Sequence, residues 1–220
     1  MIRLVLFDWN GTLLSDATAG LEATNNLLPM YNIKPITMKK YRETIDIPIT
    51  KFYSRVGISE EMFFEEHARI QETFHGFYEK RIENGRARAG TRALLKWLRS
   101  KGISSVILSN HTVGGIEAHL KRLKMDRYVD AILANDSIMH TGLKDKAKRA
   151  QDYIKKGGFG RRQVLVVGDA PEEARIARRL GSRSVLISDG WYSVRRLKEA
   201  KPDYLIRRPD KLIEIIKSIG

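Results

Sequence analysis

The sequence contains no cysteine. This absence excludes disulfide bonds, thiol nucleophiles and thiolate metal sites, so a metal ion would have to be held by oxygen or imidazole ligands. No apolar run approaches the roughly 20 residues that cross a bilayer. The N-terminal segment also lacks the length and cleavage site of a signal peptide. We therefore expect a soluble, cytoplasmic protein.

Acidic residues are in the minority, with 26 Asp and Glu against 40 Lys and Arg, which gives a net charge of +14. The basic residues occur as pairs along the whole chain, and they form no run of five or six. Aromatic residues do not alternate with them as they do in many nucleic-acid-binding segments. We expect a dispersed basic surface that attracts small anions. Binding of nucleic acid or another polyanion is the alternative.

Short apolar runs alternate with helical patterns over most of the chain. The 42% of hydrophobic residues suffice for a large core. Strands are predicted at residues 2–7, 104–108, 131–133, 164–167, 184–187 and 204–206. Helices are predicted between them at residues 91–100, 115–123, 144–155 and 172–180. This alternation predicts an α/β fold with a doubly wound parallel sheet covered on both faces.

Residues 15–88 interrupt that alternation. They contain no convincing strand run, and their amphipathic segments are separated by proline and glycine. The amphipathic segments span residues 19–31, 39–42 and 60–83, and the breaks come at Pro29, Pro35, Pro48 and Gly57. We predict an α/β core formed by residues 1–14 and 89–220, with a small helical domain inserted at 15–88.

Reactive side chains follow the predicted strands. Function collects at the C-terminal ends of the strands in a doubly wound sheet. The residues at these ends, or at the starts of the following helices, are Asp8, Asn10, Gly11, Thr12, Ser109, Asn110, Lys144, Asp169, Glu172 and Glu173. Carboxylates, a hydroxyl and an amine are thus expected at one edge of the sheet.

This set of groups suits phosphoryl transfer. Asp8 can attack phosphorus as a carboxylate. Because the carboxylate and the phosphate repel each other, a cation is needed, and Asp8 with Asp169 can hold Mg²⁺. Ser109 and Lys144 would bind the phosphate, and Gly11 would let backbone N–H groups approach its oxygens.

The same residues carry a resemblance to a known family. The segments 7–13, 108–110 and 166–173, together with Lys144, resemble the four motifs of the haloacid dehalogenase-like (HAD) hydrolase superfamily. Most of its members are Mg²⁺-dependent phosphatases. Lys144 lies 25 residues before Asp169, as is usual in that superfamily. The resemblance covers nearly the whole chain and implies its Rossmann-like core.

The resemblance also implies a role for each matching position. Asp8 would be the nucleophile, and the phosphate would be bound by Ser109, Asn110, Lys144, Gly11 and Thr12. Mg²⁺ would be held by Asp8, the backbone carbonyl of Asn10, Asp169 and Glu173.

The inserted segment, residues 15–88, resembles the helical cap of the family. Thr44–Gly57 is similar to the cap of phosphoglycolate phosphatase-like members. Cap side chains select the leaving group in these enzymes, so Arg42, Lys51 and Arg55 are candidates for binding an anionic substrate. The expected substrate is a small anionic phosphomonoester, hydrolysed through a phospho-Asp8 intermediate.

Asn10 departs from the family pattern. Phosphatases of the family have a second Asp at this position, which protonates the leaving oxygen, and an amide cannot exchange a proton near neutral pH. Turnover could therefore be slow, or another group such as His111 could supply the proton.

Three alternatives to a phosphatase follow from this sequence. A regulatory or catalytically weak phosphate-binding protein is the main one, and a polyanion-binding module is another. A metal-independent dehalogenase also lacks the second Asp, but Asp169 and Glu173 favour a metal site.

Overall fold

The computed structural model describes residues 1–137 and 145–219. Its strands are β1 (Leu4–Phe7), β2 (Leu14–Ser15), β3 (Arg86–Ala87), β4 (Ser104–Thr112), β5 (Ala131–Asn135), β6 (Val164–Gly168), β7 (Arg183–Ile187) and β8 (Tyr204–Ile206). Six of them form one parallel sheet in the order β5-β4-β1-β6-β7-β8. The prediction of a parallel α/β sheet is confirmed.

The α-helices of the described residues are α1 (Ala17–Leu27), α2 (Met38–Thr44), α3 (Ile49–Val56), α4 (Glu60–Glu65), α5 (His67–Ile82), α6 (Thr91–Ser100), α7 (Val113–Arg122), α8 (Lys146–Lys156), α9 (Pro171–Leu180), α10 (Val194–Glu199) and α11 (Leu212–Ile219). Helices α6, α7 and α11 pack on one face of the sheet, and α8 and α9 pack on the other. This cover on both faces explains why every residue of β1 is apolar and buried.

Strand β1 lies at the centre of the sheet and sets the position of the site. Its last residue, Phe7, is in register with Ile107 of β4 and Val167 of β6. The next residue of each strand therefore lies at the same edge. Asp8 lies there beside the end of β6 at Gly168 and beside β4, which continues to Thr112.

Helices α1 to α5 lie between β2 and β3, which pair antiparallel as a separate two-stranded ribbon. The ribbon joins Leu14 to Ala87 and Ser15 to Arg86, so it spans the predicted boundary at 14/15 and ends just before the one at 88/89. Division at 14/15 and 88/89 stays a prediction, and we call residues 15–88 the cap region below. A hydrophobic cluster around Tyr41, Phe52 and Phe63 holds these helices together.

Several predicted elements differ from the observed ones. Strand β4 runs past Leu108 to Thr112, with a register shift between these two residues against β5. The predicted helix over 60–83 is two helices, because the chain breaks at Glu66. Helix α3 was missed, since its eight residues directly follow Pro48. Helices α10 and α11 were missed as well.

Among the described residues, no helix combines the length and the apolar character that crossing a membrane requires.

Candidate active site

A buried lysine lies at the carboxyl edge of the sheet. The Lys146 Nζ donates hydrogen bonds to Asp8 Oδ1 at 2.8 Å and to Glu173 Oε1 at 2.7 Å. It also lies 3.6 Å from Glu172 Oε2. Burial alone would lower the pKa of Lys146, but the three carboxylates raise it well above its usual value. Lys146 is therefore a fixed positive charge beside Asp8.

The sequence assigned phosphate binding to Lys144, and that assignment stays a prediction. Lys144 lies outside the described residues. Helix α8 begins at Lys146 because the Asp145 side chain caps it, accepting a hydrogen bond from the Lys148 N–H at 3.2 Å. A lysine in the first helical position is thus held at the sheet edge.

Asp169 and Asp8 lie on either side of the Thr12 hydroxyl. The Thr12 hydroxyl is 3.2 Å from Asp8 Oδ2 and 3.4 Å from Asp169 Oδ1. The Trp191 N–H donates to Asp169 Oδ2. Burial raises the pKa of Asp169 well above its usual value, and the negative charge of Asp8 raises it further. Thr12, predicted to bind phosphate, thus contacts the two carboxylates.

Gly11 makes this close packing of the carboxylates possible. Its φ is +70°, and a Cβ placed on it would lie 2.1 Å from Asp169 Oδ2. Any other residue would be strained in this conformation and would also collide with the carboxylate. Gly190 approaches Asp169 from the other side, where a Cβ would lie 2.0 Å from the same oxygen.

The donor set fits Mg²⁺. Four carboxylates (Asp8, Asp169, Glu172 and Glu173) face one lysine in this buried cluster, so negative charge is in excess. Mg²⁺ is usually held by one or two carboxylates together with water and substrate phosphate. Within residues 1–137 and 145–219 no three Asp, Glu or His side chains are arranged so that they could hold a metal ion by themselves, so the ion would depend on water and substrate for its other ligands.

Glu173 contacts the lysine and the backbone. Its Oε1 accepts from Lys146, and its Oε2 accepts from the Ala170 N–H at 3.2 Å. Burial raises the pKa of Glu173 to about 7, against the lowering effect of Lys146. Glu173 thus contacts both Lys146 and the backbone, and its predicted role as a metal ligand stays a prediction.

The side chain of Asn10 is held in a buried hydrogen-bond network. Its Nδ2 donates to Asp16 Oδ2 at 2.7 Å and lies 2.6 Å from the Tyr78 hydroxyl of α5. Asp16 also accepts from the Gly11 N–H at 2.6 Å, the Trp191 indole at 2.9 Å and the Tyr78 hydroxyl. Burial raises the pKa of Asp16, and these four donors oppose the rise.

Residues 109–111 form the third side of the site. Ser109 is buried, and its Oγ accepts from the His111 N–H at 3.1 Å. The Asn110 Nδ2 donates to Glu172 Oε2 at 3.3 Å. His111 Nε2 lies 3.1 Å from Glu79 Oε1 of α5, which links the core to the cap region. All three residues line the same cavity as Asp8 and Lys146.

The pKa of Glu79 reflects this link. Burial would raise it, but His111 and His75 lower it more strongly, to about 2.

The three basic residues expected to bind an anionic substrate lie elsewhere. Arg42 donates to the carbonyl of Gly190 at 2.9 Å and to that of Asp189 at 3.0 Å. Arg55 pairs with Asp46 at 2.7 Å. Lys51 is exposed. None of the three lines the cavity, so the expectation was wrong, because basic side chains on the cap helices bind backbone, acids or solvent.

Sequence reasoning also missed three neighbours of the site. Trp191 follows β7, so the same rule of strand ends that singled out Asp8 pointed to the loop that contains it. Asp16 and Tyr78 gave no local signal, because a pairing of residues 62 positions apart depends on the tertiary fold.

Comparisons with known proteins agree with this geometry. Residues 5–187 match the family of haloacid dehalogenase-like hydrolases, and the chain belongs to that family. The chain is 27% identical to a phosphoglycolate phosphatase of Pseudomonas fluorescens, over 96% of this chain and 78% of that one. It is 22% identical to the phosphoglycolate phosphatase of Synechococcus elongatus, over 99% of both. A hydrolase structure from Pseudomonas syringae superimposes with a TM-score of 0.78 and 23% identity, covering 99% of both chains.

Proposed function

We propose that this protein is a Mg²⁺-dependent phosphatase that hydrolyses a small phosphomonoester through a phospho-Asp8 intermediate. The observation that carries the proposal is the buried Lys146, bonded to Asp8 and Glu173 in a cavity that Ser109 and Asp169 also line. The phosphatase names of the relatives support the same activity.

The groups would divide the work as follows. An Asp8 oxygen attacks phosphorus, a new Asp8–phosphorus bond forms, and the ester bond breaks so that the alcohol leaves and takes up a proton. Lys146 and Ser109 bind the phosphate oxygens and stabilise the charge that develops on them. Water then cleaves the phospho-aspartate and releases inorganic phosphate. Asp8 and Asp169 would hold Mg²⁺, which offsets the repulsion between carboxylate and phosphate.

The rate of turnover depends on which group gives a proton to the leaving oxygen. The amide of Asn10 already donates to Asp16 and has no proton to exchange near neutral pH. His111 lines the cavity and is the histidine nearest to Ser109 in the chain, so we assign it the proton transfer to the leaving oxygen. A phosphate-binding protein with little turnover is the second candidate, and Asn10 is the observation that favours it.

An assay of phosphomonoester hydrolysis with Mg²⁺ and with EDTA tests the proposal. We expect activity that EDTA abolishes and that Asp8→Asn lowers by at least about 10³-fold. The control is Asp152→Asn, which removes an exposed carboxylate on α8. Binding of phosphate without turnover would favour the second candidate, and an active Asp8→Asn would contradict the mechanism.

A further inference from the structure

The cap region contributes an apolar lining to the cavity above Asp8. The aliphatic and aromatic residues on this side include Tyr41, Ile45, Ile49, Phe52, Phe74 and Tyr78. They come from α2, α3, α5 and the chain around them, so the lining is built by several elements. Phe74 stacks on Tyr78 at a ring distance of 5.6 Å, which closes one wall.

The charges of this lining do not suit a leaving group that carries a negative charge in addition to the phosphate. All residues from 15 to 85 are described, and none of their lysine or arginine side chains lines the cavity. The one carboxylate on this side, Asp46, is paired with Arg55 at 2.7 Å and Arg196 at 3.0 Å. The histidine on this side, His75, lies 3.7 Å from Glu79 Oε1 and so already faces a carboxylate. An anionic leaving group would lose its hydration here without gaining an unpaired cation, which is costly in an apolar environment.

Apart from the tyrosine hydroxyls, the uncharged polar side chains on this side are Thr24 and Gln71. Gln71 is only 5% exposed and faces the cavity. An amide can bind a neutral oxygen as donor or acceptor. It therefore accepts a hydroxyl or ether in an otherwise apolar ligand.

The cavity also limits the size of its ligand. Its volume is about 160 Å³. A cavity of roughly 150 Å³ lined by apolar side chains accommodates benzene. The same space includes the end beside Asp8 and Lys146 where the phosphoryl group would lie. One ring or a short branched chain is therefore the upper limit for the leaving group.

We propose that the leaving group of the substrate is a small, uncharged and mainly apolar alcohol, held against Ile49, Phe52 and Phe74 of the cap region. This inference rests on the proposed phosphatase function and names its substrate class. It differs from what the names of the relatives suggest, because glycolate carries a carboxylate that this lining does not neutralise.

The test compares benzyl phosphate with 2-phosphoglycolate on the wild-type enzyme. Both are esters of primary alcohols, and their leaving groups differ mainly in charge and apolar surface. We expect kcat/KM for benzyl phosphate to be higher by about tenfold or more, as apolar contacts in a pocket allow. A ratio below tenfold, or preference for 2-phosphoglycolate, overturns the inference and leaves the phosphatase proposal standing.

A second test of the inference introduces a lysine into the lining. Ile49→Lys should reduce the preference for benzyl phosphate by about tenfold or more, since the new cation attracts the glycolate carboxylate. The matched control is Phe77→Lys, which places a lysine on α5 where the side chain is 44% exposed and outside the cavity. An unchanged ratio in a folded Ile49→Lys, or an equal change in both variants, contradicts the assignment.

A binding measurement separates the two proposals if neither ester is hydrolysed. In that case the phosphatase proposal fails. Calorimetry on Asp8→Asn with Mg²⁺ then decides the inference, because binding does not require turnover. Tighter binding of benzyl phosphate by about tenfold supports an apolar site, and equal or weaker binding overturns it.

Discussion

The two sides of the cavity are built on different principles. On the core side, Lys146 contacts Asp8 and Glu173 at hydrogen-bond distance, and Thr12 lies between Asp8 and Asp169. The side formed by the cap region holds mainly aliphatic and aromatic residues, which pack without directional bonds. In the proposed mechanism the core side carries the reaction, and the opposite side selects the ester. Substitutions on the core side should change rate by orders of magnitude, and those on the opposite side should change preference.

Loss of Lys146 should have the largest effect. Lys146→Met leaves Asp8 and Glu173 buried without a cation, and breaking a buried pair in this way costs about 3–5 kcal/mol of stability. We also expect kcat/KM to fall by about 10²- to 10³-fold. Thermal unfolding and steady-state kinetics measure the two effects. The control is Lys148→Met, which removes an exposed lysine of the same helix.

Lys144→Met compares the two lysines directly. If this variant loses more activity than Lys146→Met, the sequence-based assignment was right and the role given to Lys146 is wrong.

The contrast between the two sides also explains what could be predicted. Strand ends are readable from apolar runs, and parallel register then brings Asp8, Ser109 and Asp169 together without further information. The assignment of phosphate binding to Lys144 stays a prediction. The place of Lys146 at the start of α8 was not predicted, because helix starts are the least certain boundaries and Asp145 was not recognised as the cap. The wrong expectation for Arg42 has a tertiary cause, since its partners are backbone carbonyls 147 and 148 residues away.

Changing Asn10 should test whether the core side lacks only a proton donor. Asn10→Asp replaces the amide that donates to Asp16 by a carboxylate, so two acceptors meet at the 2.7 Å contact. We expect a loss of about 1–3 kcal/mol in stability and little gain in kcat. The double variant Asn10→Asp with Asp16→Asn restores a donor opposite an acceptor. It should recover stability and raise kcat by about 10²-fold.

The controls for this pair are the wild type and Asp16→Asn alone, with unfolding and kcat measured on all four proteins. A stable single variant Asn10→Asp, or a double variant no faster than the wild type, would show that the hydrogen bond to Asp16 is not what limits turnover.

Loss of the contact between Glu79 of the cap region and His111 of the core should have the smallest effect on stability. Glu79 has a pKa lowered to about 2, from 4.5, by His111 and His75. A lowered pKa contributes stability above the unfolded pKa of about 4.5, and this contribution is lost as the pH falls toward 2. Glu79 is 41% exposed, so screening limits the contribution to less than about 1 kcal/mol.

The unfolding temperature of Glu79→Gln should therefore be lower than that of the wild type at pH 6, and the two should converge as the pH approaches 2. Glu83→Gln, at the exposed end of the same helix, is the control. A difference that grows as the pH falls would contradict the ion pair between α5 and His111.

The measurement that tests the central claim most directly is the location of the phosphoryl group during turnover. Benzyl phosphate is mixed with enzyme and Mg²⁺, the reaction is quenched with acid within one turnover, and the peptides are analysed by mass spectrometry. We predict one phosphoryl group on Asp8, and none on the same peptide from Asp8→Asn. Phosphate release without any phosphorylated Asp8, or a phosphoryl group on another residue, would contradict the account.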